Sequence, residues 1–189
     1  MNICVYGAAS DAIDKKYINA GEELGQKMVK RGHALVYGAG ATGMMGAVSR
    51  GVEKENGSVT GVVPEFFTNE EVLNIDCTKL IRTKTMRERK QIMEDLSDAF
   101  IVSPGGIGTF EEFLEVLTLK QLNRHNKPIV LFNVNGFYNG MISMLDEAIN
   151  GNFINKECRQ MYPAFETADE VLDYIENYEK IDLSKMKVK

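Results

Sequence analysis

The sequence has few of the residues and segments that mark disulfide-bonded, metal-binding or membrane-spanning proteins. Its three cysteines, Cys4, Cys77 and Cys158, are far apart and form no C-x-x-C pair, so we expect reduced thiols in a cytoplasmic protein. His33 and His125 are isolated from each other and from the cysteines, so we assign no metal site and expect both on the surface. No apolar run approaches the roughly 20 residues that a membrane span requires.

The charge and size of the chain indicate an ordinary globular domain. Its 27 acidic and 22 basic residues give a net charge of −5, and the absence of a basic stripe argues against nucleic acid as a partner. A chain of 189 residues is long enough for one core and too short for two full domains. We therefore predict one domain over residues 1–178 and a polar C-terminal tail over 179–189 that is peripheral or frayed.

Short apolar segments alternate with amphipathic ones along most of the chain. The apolar segments predict strands over residues 3–6, 34–37, 59–63, 79–82, 100–103, 128–132 and 161–165. The segments between them predict helices over 13–30, 43–55, 85–96, 109–123, 138–150 and 168–178. This β-α-β order predicts an α/β fold of the Rossmann-like, doubly wound type, with a mainly parallel sheet and helices on both faces.

Three loops of small residues each follow a predicted strand. They cover residues 7–10, 38–43 and 104–109. Because ligands of such folds bind beyond the carboxyl ends of the strands, these loops should meet at one edge of the sheet. Glycines allow backbone N–H groups to approach an anion, so we expect a phosphate-bearing nucleotide there.

The third loop has two interpretations. In one, its glycines and the following helix N-terminus bind an anion, and Thr109 adds a hydroxyl. In the other, Thr109 and Glu112 only form a T-x-x-E capping box. The second interpretation is a serious one, because the same spacing occurs at Thr68/Glu71, Thr85/Glu88 and Thr167/Glu170.

The charges on two neighbouring helices bear on this choice. Glu111, Glu112 and Glu115 follow the third loop, where carboxylates suit a helix N-terminus but disfavour an anionic ligand. Carboxylates in that place are suited to meet positive charge that develops in a transition state. The basic residues within 86–90 begin the preceding helix, which indicates either an anionic partner or a solvated helix end.

The second loop matches G-x-G-x-x-G at Gly38, Gly40 and Gly43, between a strand and a helix. Glu65 lies near the spacing of a ribose-binding acid in dinucleotide-binding domains, so an NAD-dependent enzyme stays open on spacing. Against it, the loop follows the second strand and the chain leaves little room for a substrate domain.

Residues 104–112, Pro-Gly-Gly-Ile-Gly-Thr-Phe-Glu-Glu, resemble the P-G-G-x-G-T-x-x-E signature of the LONELY GUY family of cytokinin riboside 5′-monophosphate phosphoribohydrolases. Residues 86–90 resemble its M-H-x-R-K element and 132–138 its N-V-x-G-Y-Y segment. The resemblance runs to about residue 165. It departs at Arg87, where the family usually has His, at Ala39, where a glycine is usual, and in the first loop.

The resemblance implies hydrolysis of the N-glycosidic bond of a nucleoside 5′-monophosphate, such as AMP or an N6-modified AMP, to free base and ribose 5-phosphate. It implies a catalytic pair, Arg89 and Glu112, a homodimer at minimum with sites near the subunit interface, and no metal or organic cofactor. The residues that it assigns to substrate binding are Glu71, Lys90, Gly106, Ile107, Gly108, Thr109 and Thr118. The alternative is a non-catalytic carrier of a nucleotide or of molybdenum cofactor, which needs the same loops but not the Arg89–Glu112 pair.

Overall fold

The computed structural model describes residues 1–67 and 72–186, and in this part of the chain seven parallel strands form one sheet. The order β4-β3-β2-β1-β5-β6-β7 places β1 between β2 and β5. Strand addition therefore reverses direction at β1, and the carboxyl ends of β1 and β5 flank the crevice in which such sheets bind ligands. The strands are β1 (Asn2–Tyr6), β2 (Ala34–Tyr37), β3 (Val59–Pro64), β4 (Lys79–Thr83), β5 (Ala99–Val102), β6 (Ile129–Phe132) and β7 (Ala164–Phe165).

Helices cover both faces of the sheet, which confirms the predicted fold class. They are α1 (Lys15–Lys30), α2 (Gly43–Lys54), α3 (Met86–Leu96), α4 (Ile107–Gln121), α5 (Asn139–Asn150) and α6 (Ala168–Glu176). Helices α1, α2 and α6 pack on one face, and α3, α4 and α5 pack on the other. No helix in the described part of the chain is both long and apolar enough to cross a bilayer.

The alternation of side chains along the strands divides the core into these two layers. In β1, Ile3 and Val5 belong to the layer under α1 and α2, while Cys4 and Tyr6 belong to the layer under α3 and α4. All four side chains are buried, as expected for a parallel strand covered on both faces. This double burial explains why the strands appear in the sequence as continuous apolar runs.

Both histidines differ from their predicted surface positions. His33 is buried and its Nε2 lies 2.8 Å from Oε1 of Glu176, because α6 packs over the end of α1. His125 is half-buried, with Nε2 2.9 Å from the carbonyl oxygen of Val116. Burial lowers the pKa of His125 to about 4. Contacts between distant segments decided both positions, and isolated spacing in the sequence could not show them.

The tail is attached to the domain rather than frayed, as far as the structure describes it. Leu183 is buried in the layer under α3 and α4, at the start of a 3₁₀ turn over Leu183–Met186. The buried amine of Lys120, near the end of α4, donates to the carbonyl oxygen of Lys127 and to the hydroxyl of Tyr178, both at 2.8 Å. Lys120 therefore holds the chain where the tail begins.

The Lys120 contact predicts a pH-dependent stability. Burial lowers the pKa of Lys120 to about 7, so above that pH the unfolded chain binds more protons than the folded chain and stability rises with pH. Replacing the amine in Lys120→Met removes this dependence. Relative to the variant, wild-type unfolding free energy should rise by up to about 1.4 kcal/mol per pH unit between about pH 7 and 9. Urea titrations of both proteins across this range measure the effect, and a constant difference would contradict the assignment.

Candidate active site

The three glycine-rich loops meet in one cavity of about 510 Å³ at the carboxyl ends of β1, β2 and β5. This confirms the convergence predicted from their positions in the sequence. The residues of the loops that line the cavity are Gly7, Ala8, Ala9, Gly38, Gly40, Thr42, Gly106, Gly108 and Thr109. Arg89 from α3 and Glu112 from α4 complete its polar side.

The N-terminus of α4 opens into this cavity without a side-chain cap. The helix begins at Ile107, with Gly106 as its N-cap and no side chain accepting from its first turn. The capping box predicted as an alternative at Thr109 is therefore wrong, because the helix begins two residues earlier. Uncapped N–H groups and the positive end of a helix dipole together favour an anionic ligand.

The N-terminus of α2, after the second loop, already holds an anionic group. Oδ1 of Asp11, the residue after the first loop, accepts from the backbone N–H of Gly43 at 2.7 Å. The G-x-G-x-x-G stretch therefore presents a helix end that a carboxylate occupies, which weakens the NAD interpretation. Of these two helix ends, that of α4 is the one suited to a phosphate.

A buried ion pair joins α3 to α4 at the cavity. Nη1 of Arg89 donates to Oε1 of Glu112 at 2.8 Å, and Nε of Arg89 donates to the carbonyl oxygen of Val62 at 3.1 Å. A β-carbon at Gly38 would lie 2.1 Å from Nη2 of Arg89, so this glycine makes room for the guanidinium. Burial raises the pKa of the Glu112 carboxyl above its usual range, and the charge of Arg89 partly offsets that rise.

Lys90 binds the other two acids of α4 rather than lining the cavity. Its Nζ lies 2.5 Å from Oε1 of Glu111 and 2.6 Å from Oε2 of Glu115. Burial alone would lower the pKa of Lys90, but these two carboxylates raise it. The basic segment at the start of α3 and the acidic segment of α4 are thus two sides of one charged contact.

The other predicted binding residues lie in three kinds of place. Gly106, Gly108 and Thr109 line the cavity, as stated above. The side chain of Ile107 is 87% exposed and is not among the residues that line the cavity. The exposed Thr118 donates its hydroxyl to the carbonyl oxygen of Leu114, one turn earlier in α4, and does not line the cavity. Glu71 lies outside the described residues.

Sequence reasoning missed the apolar wall of the cavity. Met45, Val63, Phe67, Val72 and Met86 line it, together with the glycine loops. These residues come from α2, β3, the connection after β3 and the first position of α3. These residues share no regular spacing in the sequence. Only Met86 could have been noticed, because it belongs to the segment 86–90 that resembles a family motif.

The structure accommodates Ala39, one of the departures from the family pattern, in a left-handed conformation with a φ of 60°. Its carbonyl oxygen accepts from the backbone N–H of Asn74 at 2.8 Å, which ties the second loop to the connection after β3. Within the described ranges no three His, Cys, Asp or Glu side chains cluster as metal ligands would. Arg87 is exposed, and nothing in the structure explains its presence in place of histidine.

Comparison with known proteins gives consistent matches. A family model described as "Possible lysine decarboxylase" matches residues 45–175. The probable cytokinin riboside 5′-monophosphate phosphoribohydrolase LOGL5 of Oryza sativa subsp. japonica is 40% identical over 176 residues, 93% of this chain and 72% of the relative. The cytokinin riboside 5′-monophosphate phosphoribohydrolase LOG4 of Arabidopsis thaliana is 39% identical over 176 residues, 93% of this chain and 82% of the relative.

Among solved structures, the molybdenum cofactor carrier protein of Chlamydomonas reinhardtii aligns with a TM-score of 0.69. The alignment covers 93% of this chain and 94% of that chain, at 19% identity. At this identity the likeness concerns the fold alone.

The buried ion pair predicts that Arg89→Met destabilises the protein strongly at high pH. The variant leaves the Glu112 carboxylate buried without its partner, which costs about 3–5 kcal/mol. The pKa of Glu112 should rise further without Arg89, so the loss should shrink as pH falls and the carboxyl binds a proton. Urea unfolding at pH 8 and pH 5 measures both effects.

A matched control for Arg89→Met is Lys54→Met. Lys54 pairs with Glu22 at 2.6 Å, but its side chain is 55% exposed, so its loss should cost less than about 1 kcal/mol at either pH. Equal losses in the two variants would show that burial adds nothing to the Arg89–Glu112 pair.

Proposed function

Because this chain belongs to the LONELY GUY family, we propose that it hydrolyses the N-glycosidic bond of an adenosine-type 5′-monophosphate. The products are the free base and ribose 5-phosphate. The observation that carries the proposal is a buried, ion-paired carboxylate, Glu112, in the same cavity as the uncapped N-terminus of α4. The three cysteines of the chain form no disulfide bond in the structure. This fits a reducing, cytoplasmic location, which we include in the proposal.

The cavity supplies a separate environment for each part of such a substrate. The N–H groups around Gly106–Thr109 bind the 5′-phosphate, and the apolar wall that includes Phe67 and Met86 receives the base. Cleavage of the C–N bond develops positive charge on the ribose, as in an oxocarbenium ion. The Glu112 carboxylate stabilises that charge and activates the attacking water. Arg89 keeps the carboxylate ionised and oriented, since its Nε and Nη1 are both bound to protein oxygens.

Two other functions have weaker support. Lysine decarboxylation requires pyridoxal phosphate bound through a lysine. No lysine is among the described residues of the cavity lining, and Lys90 and Lys120 are bound to other protein groups. A carrier of nucleotide or molybdenum cofactor requires the loops but has no need of a buried Arg89–Glu112 pair.

Incubation of the pure protein with AMP and with an N6-prenylated AMP, followed by chromatography, tests the reaction directly. We expect free base without any added cofactor, and EDTA should leave the rate unchanged. Since the phosphate binds to the end of α4, adenosine should have a far lower kcat/KM than AMP. Intact nucleotide that binds tightly would favour the carrier, and equal kcat/KM for adenosine and AMP would contradict the phosphate site.

Replacement of the catalytic carboxylate separates its effect on turnover from its effect on substrate binding. Glu112→Gln should lower kcat by roughly a hundredfold or more, because the transition state loses a preorganised charge. Binding of AMP should persist or tighten, since a carboxylate beside the phosphate site does not favour the ground state. Steady-state kinetics and calorimetric titration of AMP measure the two effects.

Glu170→Gln is the matched control for Glu112→Gln. Glu170 forms a true capping box with Thr167 at the start of α6, remote from the cavity, and glutamine can still accept there. This variant should keep full turnover. Small and equal effects at Glu112 and Glu170 would remove the carboxylate from the mechanism.

We also propose that the chain forms a homodimer through α4. Ile107, Leu114 and Leu122 are exposed at spacings that place them along one side of the helix, with Thr118 among them. Thr118 follows Thr109 by about 13 Å along the axis, so it cannot reach a phosphate bound at the N-terminus of its own helix. If it contacts a nucleotide, as the family resemblance implies, that nucleotide is in the cavity of the second copy.

Light scattering tests the dimer. Wild-type protein at micromolar concentration should have at least twice the chain mass of 21.1 kDa. Leu114→Arg should give a monomer with reduced turnover, because the arginine charge would be buried without a partner in the interface. Met144→Arg, on an exposed side of α5, should stay dimeric. A fully active wild-type monomer would contradict the proposal.

A further inference from the structure

The segment over residues 132–138 resembles a family motif, yet none of its side chains is among those that line the cavity. Its last residue, Tyr138, is fully buried. The Tyr138 hydroxyl donates to the carbonyl oxygen of Ser103 at 2.7 Å. Ser103 is the residue between β5 and the loop at residues 104–109, so this bond lies directly behind the anion site.

The two carbonyl groups that precede the glycines of this loop are both held by donors outside it. The Ser103 carbonyl accepts from Tyr138, and the Pro104 carbonyl accepts from the backbone N–H of Ala8 at 3.0 Å. The Ser103 hydroxyl donates to the carbonyl oxygen of Tyr6 at 2.6 Å. A β-carbon at Gly7 would lie 2.4 Å from that hydroxyl oxygen, so the first loop needs its glycine for this packing.

This arrangement fixes the direction of the peptide dipoles around the anion site. A carbonyl oxygen that turned toward the cavity would repel a phosphate and would displace the N–H groups that bind it. A carbonyl that is already hydrogen-bonded elsewhere needs no reorganisation when the phosphate binds, and preorganised dipoles bind charge more strongly than mobile ones. The bond from Tyr138 therefore favours the conformation in which the loop presents N–H groups.

The position of Tyr138 is itself set by polar contacts. Its backbone N–H donates to Oδ1 of Asn133 at 2.6 Å, and Nδ2 of Asn133 donates to Oδ1 of Asn139 at 2.9 Å. The rings of Phe110 and Phe137 pack edge-on against the Tyr138 ring. The conformation of residues 133–139 thus fixes the hydroxyl against β5.

We propose that Tyr138 is a positioning residue for the 5′-phosphate, acting through the Ser103 carbonyl on the loop at residues 104–109. The inference rests on the proposed function, since it assumes that a phosphate binds to this loop. Tyr138 contacts no substrate in this assignment.

The test measures binding of ribose 5-phosphate by calorimetry in Tyr138→Phe, which removes one hydroxyl and keeps the ring. Loss of one neutral hydrogen bond should weaken binding about fivefold. Tyr162→Phe is the matched control, because Tyr162 is equally buried and its hydroxyl has no partner in the described part of the chain. The control should bind ribose 5-phosphate as the wild type does.

Steady-state kinetics on AMP and adenosine distinguish a role in phosphate binding from a general loss of structure, which would affect both substrates equally. In Tyr138→Phe, kcat/KM for AMP should fall about fivefold through KM, while kcat/KM for adenosine, which has no phosphate, should stay at the wild-type value. Equal losses on both substrates, or unchanged ribose 5-phosphate binding, would overturn the role of Tyr138 and leave the proposed function standing. Wild-type protein that binds no ribose 5-phosphate and releases no base from AMP would overturn both.

If Tyr138→Phe fails to fold, Asn139→Ala gives the same comparison. Asn139 is exposed, and this substitution removes its hydrogen bond to Asn133, the last of the series that holds Tyr138. It should weaken ribose 5-phosphate binding in the same direction by a smaller factor, and an unchanged affinity would overturn the assignment.

Discussion

The ion pair between Arg89 and Glu112 is the contact around which the cavity is organised. It joins two helices on the same face of the sheet, Gly38 leaves room for its guanidinium, and the carbonyl oxygen of Val62 in β3 accepts from Nε of Arg89. Elements from β2, β3, α3 and α4 therefore converge on one guanidinium. A buried carboxylate is costly without a cation, so the ionised form of Glu112 depends on the packing of these four elements around Arg89.

The two glycine loops that precede helices have different physical roles. After β5, the loop leaves the N-terminus of α4 uncapped, so its N–H groups are available to a ligand. After β2, the corresponding helix end donates the Gly43 N–H to the carboxylate of Asp11, and Gly38 of that loop gives space to Arg89. Similar sequence patterns thus produce a helix end with free N–H groups in one place and a packing site in the other. Only contacts with distant residues distinguish them.

The fold and the convergence of the three loops could be predicted because their signals are local, whereas the Arg89–Glu112 pair was expected only from the family resemblance. The doubly buried strands appear as apolar runs, and each glycine loop follows one of them. The apolar wall could not be predicted, since Met45, Val63 and Phe67 come from separate elements and have no shared spacing. Local patterns also failed where a distant segment supplied the packing, as α6 does over His33.

The combination of an anion site with a buried carboxylate is a poor design for binding and a good one for catalysis. A carrier that binds a phosphate gains from positive groups alone, and Glu112 would oppose its ligand. A hydrolase needs the phosphate for affinity and the carboxylate for the cation that forms when the C–N bond breaks. Arg89 reconciles the two, because its charge pairs with Glu112 and lowers the cost of keeping that carboxylate ionised. Under the proposed function, the ionised carboxylate is then already in place when positive charge develops on the ribose.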